Sequence, residues 1–129
     1  MIKRDTRLKT TDKHFKVFKK EVEKWIPLLG IMDWRIVIEH KDLDDSKNLA
    51  WSCIDSSQKS CGLLLSVDWT DNKITNDTLK RAAFHEVCHV RFAMLDDMLT
   101  NRGYDQDEVD KYLHGIIYML ENCLFGIGE

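Results

Sequence analysis

An α+β fold is what this sequence predicts: an N-terminal helix, a small three-stranded, mainly antiparallel sheet, a central helix and a C-terminal helix. Three observations lead there. Apolar residues recur every three or four positions in three separate stretches, 11–29, 76–99 and 107–124. Short runs of β-branched and aliphatic residues, broken by turn residues, fill the space between the first stretch and the second. The strands are thus clustered between helices instead of alternating one by one with them, which separates α+β from the parallel α/β pattern. With one proline and no Gly/Ser linker or internal repeat in 129 residues, a single domain over 1–129 is expected, and residues 1–10 read as a flexible lead-in.

The first helix follows from Thr11 or Asp12 as a cap and from the stripe Phe15, Phe18, Val22, Trp25, Ile26 and Leu29. Gly30 is placed to end it, and Pro27 bends or shortens its last turn. Trp34 to Glu39 reads as the first strand, and the polar stretch Lys41 to Lys47 as a loop. Leu49–Ile54 and Gly62–Val67 make two more strands, joined by the hairpin loop Asp55 to Ser60. Asn76 or Asp77 caps the central helix, which runs to about Leu99. Its apolar positions Leu79, Ala83, Val87, Val90, Met94 and Met98 fall on one side, while Phe84, Phe92 and Leu95 lie elsewhere, so it is apolar on more than one face and expected between layers. Thr100 to Gly103 breaks it. The last helix spans roughly Asp107 to Leu124, with Val109, Leu113, Ile116, Ile117, Leu120 and Leu124 as its core stripe. Trp25, Trp34, Trp51 and Trp69 read as core and sheet-packing residues, and His14 and His40 as surface residues.

Charge and cysteine usage narrow the function classes. Nineteen basic against 22 acidic residues give a net charge of −3, which argues against nucleic acid as an obligatory partner. The first 24 residues are nevertheless rich in Lys and Arg, and Lys3, Arg4, Arg7, Lys9, Lys13, Lys16, Lys19 and Lys20 make a local basic face whose simplest role is solvation. No apolar run follows the charged start, and none approaches a membrane span, so a cytoplasmic protein without a membrane partner is expected. Cys53, Cys61, Cys88 and Cys123 show no C-x-x-C spacing and read as free thiols, although Cys53 and Cys61 flank the hairpin turn.

The chemistry-bearing pattern is His85-Glu86-Val87-Cys88-His89, an H-E-x-x-H on the central helix. Residues four apart on a helix differ by roughly 40° around its axis, so His85 and His89 point the same way and can share one Zn²⁺. A catalytic zinc takes three protein ligands and keeps a position for water, so a third ligand must come from elsewhere. His114, on the flank of the last helix, can reach across a short turn between antiparallel helices; Asp110, Glu108 and Glu121 are oxygen-bearing alternatives. Glu86 lies roughly 80° from the direction midway between the two histidines, which suits a general base that takes the proton of an activated water and not a ligand. Tyr118, one turn after His114, reads as a packing residue that can also reach an oxyanion.

Taken together, the order helix, short strands, H-E-x-x-H helix and the later block His114-Gly115-Ile116-Ile117-Tyr118 resembles the SprT-like zinc metallopeptidase domain. The resemblance spans roughly Trp34 to Met119 and is specific in the two motif blocks. It implies a minimal zincin-like domain holding one Zn²⁺ on His85, His89 and His114, with Glu86 as general base and a peptide or protein as substrate. It also implies that the strand Leu63 to Val67 lines the cleft and pairs with extended substrate. The chain lacks the cysteine zinc ribbon of better-known members and carries a basic helix in front; its small size is similar to stand-alone phage and prophage members. A zincin-fold binding or regulatory protein without catalysis, or a DNA-associated accessory protein, is the competing expectation.

Overall fold

The computed structural model describes residues 8–42, 49–70 and 72–126. Helix α1 (Asp12–Leu28) begins where the sequence offers a cap. Thr11 Oγ1 accepts the His14 amide at 3.4 Å, and His14 Nδ1 accepts the Thr11 amide at 2.9 Å, a reciprocal capping box. Pro27 lies in the final turn, and the helix stops one residue later. Gly30 then adopts φ +72°, and the amides of Gly30 and Ile31 donate to the Pro27 and Ile26 carbonyls. This Schellman close turns Ile31 into the core, where it is 3% exposed.

Strand β1 (Leu8–Lys9) precedes α1, and β2 (Arg35–Lys41), β3 (Ala50–Asp55), β4 (Ser60–Ser66) and β5 (Asp68–Thr70) follow it. The larger sheet has the order β2-β4-β3. It is mixed: β2 runs parallel to β4 and β3 antiparallel to it. The expectation of a mainly antiparallel sheet is corrected here. β4 takes the middle of the sheet, so β2 pairs with β4 and not with its sequence neighbour β3. The β3–β4 turn is held by Asp55, whose Oδ1 accepts from Ser57 N, Ser57 Oγ and Gln58 N. Cys61 pairs with Ile54 and Cys53 with Gly62, so the two thiols lie on opposite sheet faces, and all four cysteines are free.

A second, two-stranded sheet joins β1 to β5. Strands of two and three residues carry too little alternation to be read from sequence. The lead-in is therefore structured from Leu8 onward; residues 1–7, the remainder of that expectation, lie outside the described residues, as do 43–47 of the expected loop. Thr10 anchors the segment. Its amide donates to Val67 O and its hydroxyl to Ser66 O, which leaves Oγ1 to accept from His40 Nε2 at 2.7 Å. His40, expected at the surface, is half-buried, its ring stacked on Phe15 with centroids 5.3 Å apart.

Helix α2 (Asn76–Asn101) is capped by Thr75, whose side chain accepts the Thr78 amide while Thr78 Oγ1 accepts the Thr75 amide. Gly103, at φ +92°, ends it with the same Schellman pattern: the Gly103 and Tyr104 amides donate to the Thr100 and Leu99 carbonyls. The chain reverses, and α3 (Gln106–Phe125), capped by Asp105, returns antiparallel along α2. Contacts pair His85 with Glu121, His89 with His114 and Asp96 with Gln106, so rising numbers on α2 meet falling numbers on α3. α2 packs on α1, α3 and the inner face of β3 and β4. Phe18 and Val22 of α1, Leu63 and Leu65 of β4, Trp69, Leu79 and Val87 of α2, and Ile117 of α3 are fully buried between these elements. Trp25 and Trp34 join that core, but Trp51 is 44% exposed on the outer sheet face. Met94, Met98 and Leu124, expected in core stripes, are exposed.

Candidate metal centre

The H-E-x-x-H residues sit mid-way along α2, where the helix is covered on several sides. His85, His89 and His114 are half-buried, and one ligand-capable atom from each lies within 4.8 Å of the others. Two helices thus bring three imidazoles to one place, as the antiparallel α2–α3 turn requires. Ring centroids are 4.8 Å apart for His85–His89, 5.4 Å for His85–His114 and 4.7 Å for His89–His114.

Hydrogen bonds outside the cluster set which nitrogens face inward. His114 Nδ1 lies 2.8 Å from the Asp110 carbonyl oxygen, which can only accept, so Nδ1 carries the hydrogen and Nε2 the lone pair. His85 Nδ1 lies 3.1 Å from Glu121 Oε2, with the same consequence. His85 Nε2 and His89 Nε2 are 3.1 Å apart. Tetrahedral zinc with bonds of about 2.0–2.1 Å holds neighbouring nitrogens about 3.3–3.4 Å apart, so this pair fits such an ion with a small relaxation. Three imidazole nitrogens form a donor set that suits zinc and several other transition metals. The cluster could hold a metal ion.

Glu86 does not point into the cluster. It is 8% exposed, and burial pushes its carboxyl above the ordinary carboxylate range, against the pull of His85 and of the Ser52 hydroxyl on β3. Burial is also the largest influence on His85 and acts downward, but the Glu121 hydrogen bond and the Glu86 and Glu121 charges outweigh it and hold His85 above its usual value. Burial, then His85 and His114, drive His89 down to about 4. The first proton on the His85–His89 pair therefore resides on His85, beside its carboxylate.

The other candidate ligands stand elsewhere. Asp110 Oδ1 accepts from Gln106 Nε2, Glu108 is exposed on the first turn of α3, and Glu121 serves His85 Nδ1. Cys88 is buried, and burial pushes its thiol up to about 12, so it stays protonated. Tyr118 is half exposed, its ring 5.5 Å from that of His85 and 6.0 Å from that of His114. On the basic face, Lys13, Lys16, Lys19 and Lys20 are exposed along α1, while Lys3, Arg4 and Arg7 lie outside the described residues.

A cavity of about 340 Å³ opens beside His85 and Glu86, bounded by Ala50 of β3, Arg81 of α2 and Tyr118 of α3. Arg81 is held there by Asp77 at 3.3 Å and by the Gly126 carbonyl. The strand expected to line this cleft was Leu63 to Val67, but β4 occupies the middle of its sheet and both of its edges are taken. β3 replaces it. The Ser66 amide donates to Leu49 O, which fixes the pairing parity. The N–H and C=O groups of Ala50, Ser52 and Ile54 therefore point away from β4, along an edge that no strand among the described residues pairs. Sequence reading missed Ser52 and this edge. The spacing of Glu121, two turns after His114 on one helix face, was the available signal for its place at the site.

No family model, curated protein or solved structure matches the chain. Among the described residues no helix is long and apolar enough to cross a membrane.

Proposed function

We propose that this protein is a zinc-dependent metallopeptidase of the zincin, SprT-like type, acting on peptide or protein substrates. One observation carries the reading: three imidazoles converge from α2 and α3 while Glu86, adjacent in sequence to one of them, stays out of the cluster as a buried carboxylate. His85, His89 and His114 would hold the ion. A structural zinc site closes with four protein ligands, whereas three ligands, with a cavity against His85 and Glu86, leave room for chemistry. Zinc, when bound, supplies a Lewis acid for the scissile carbonyl and lowers the pKa of a water from about 15.7 toward about 7.

The chain's own residues do the rest. Glu86, held by burial above the usual carboxylate range, accepts a proton from the attacking water on its carboxylate oxygen and returns it to the leaving amine. The outward backbone groups of Ala50, Ser52 and Ile54, which no strand among the described residues pairs, suit an extended peptide added as a further strand. Tyr118, at the cavity rim, can donate to an oxygen that gains charge.

Protein purified without added metal is expected to carry about one zinc per chain. Glu86→Gln is expected to keep that zinc while cleavage of casein or mixed peptides falls by about 10²–10⁴-fold. Zinc far below one per chain overturns the metal assignment, and equal cleavage by wild type and Glu86→Gln overturns the base.

A further inference from the structure

Helix α3 buries one face, and its fully covered positions are Val109, Leu113, Ile117 and Glu121, each four residues after the last. Three are apolar, as a core stripe demands. The fourth is a carboxylate, 7% exposed, in a position that a core stripe would give to an apolar residue. No lysine or arginine among the described residues pairs with it; its one ionic partner there is His85, through Oε2 to Nδ1 at 3.1 Å. A buried acid whose partner is a single imidazole is a poor stabilising device, because desolvation cancels most of the attraction. Its geometry suits a different task.

We propose that Glu121 is a positioning residue for the metal centre, an inference that rests on the metallopeptidase reading above. Its carboxylate accepts the Nδ1 hydrogen of His85 and so fixes that ring as the Nδ1–H tautomer. The Nε2 lone pair then faces His89 Nε2, 3.1 Å away, and the rest of the cluster. A ring free to rotate or to change tautomer would present a hydrogen to the ion about as often as a lone pair. The negative charge also raises the basicity of the inward nitrogen. His114 has a neutral counterpart in the Asp110 carbonyl, so α3 supplies both outer partners: a backbone group for His114 and a charged side chain for His85.

The test uses Glu121→Gln and Glu121→Ala in the full chain, with folding checked by circular dichroism. The amide oxygen of Gln still accepts from Nδ1–H but carries no charge, while Ala removes the acceptor. Two readouts go beyond activity. In the metal-free protein at alkaline pH, long-range ¹H–¹⁵N correlation spectra report which His85 nitrogen holds the hydrogen. Wild type and Glu121→Gln are expected as Nδ1–H, and Glu121→Ala as Nε2–H or a mixture. Zinc affinity by competition with a chromophoric chelator is expected to fall about 10–100-fold in Glu121→Ala and less in Glu121→Gln. An unchanged tautomer and unchanged affinity in Glu121→Ala, with zinc still bound by wild type, overturn the positioning role and leave the peptidase reading standing. Failure of wild type itself to bind zinc overturns both.

Discussion

Zinc should act directly on the folding equilibrium, because its proposed ligands are brought together only by tertiary structure. His85 and His89 lie one turn apart on α2, but His114 arrives from α3, 25 residues after His89 in sequence. An unfolded chain lacks this site, so the ion binds the native state, and above Kd each tenfold rise in free zinc adds about 1.4 kcal/mol of stability. For 129 residues, an unfolding entropy of about 2.1 cal/mol/K per residue gives about 0.27 kcal/mol/K. Each decade of free zinc should therefore raise Tm by about 5 °C. His114→Ala removes a direct ligand, which costs more than the 10–100-fold typical of an outer partner, so at saturating zinc its gain should trail wild type by about 10 °C or more. The assay is thermal unfolding in zinc buffers of stepped free concentration, each protein measured against its own chelated baseline. A Tm that ignores zinc, or the same slope and offset in His114→Ala, refutes the claim that α2 and α3 share one ion.

Two further outcomes follow from burial and charge. In the metal-free protein His89 resists protonation, so the stability linked to it is present above its ordinary value of 6.5 and is lost as pH falls from there toward about 4. The loss is at most about 3 kcal/mol, and His85, whose value is raised, opposes it with stability present at low pH and lost as pH rises. Urea unfolding in chelator should show a flatter acid limb for His89→Gln than for wild type, and an equally steep limb contradicts the depressed value. On the sheet, Leu63→Ala should cost about 2–5 kcal/mol and Val37→Ala under about 0.5 kcal/mol by the same unfolding assay, since Leu63 is fully buried and Val37 is 57% exposed on the opposite face. Comparable losses at the two positions would mean that both sheet faces are covered.

What could be read in the sequence was what local periodicity and capping determine. The three helices appear within a few residues of their expected limits, because Thr11, Gly30 and Gly103 act on neighbouring backbone whatever the tertiary context. The grouping of His85, His89 and His114 was legible for the same reason: helical spacing sets the first two, and a short turn sets how α3 meets α2. Strand pairing was not legible. Nothing local states that β2 joins β4 in parallel, and that choice decides which strand lies at the cleft. β1 and β5 are too short to leave a pattern. Glu121 was readable as an acid near the site, but its task depends on which histidine nitrogen it meets, and only the packed helices fix that.

The site sits where the fold can least easily accommodate polar groups. α2 is covered by α1, α3 and the sheet, and a helix so placed would be most stable with apolar residues on each covered side. At 85, 86 and 89 it carries two imidazoles and a carboxylate, and α3 adds His114 and Glu121 against them. Without a cation, burial drives His89 to about 4 and raises Glu86, so protonating His89 in acid and ionising Glu86 both work against folding. A doubly charged ion reverses the account. It would take the lone pairs of the neutral imidazoles, offset the Glu121 and Glu86 charges, and turn the desolvation that penalised these groups into a low-dielectric setting that strengthens each attraction. The titration of the empty cluster and the gain expected on filling it arise from the same burial, but zinc-dependent stability, tautomer control by Glu121 and proton transfer by Glu86 are separately measurable, and each can fail alone.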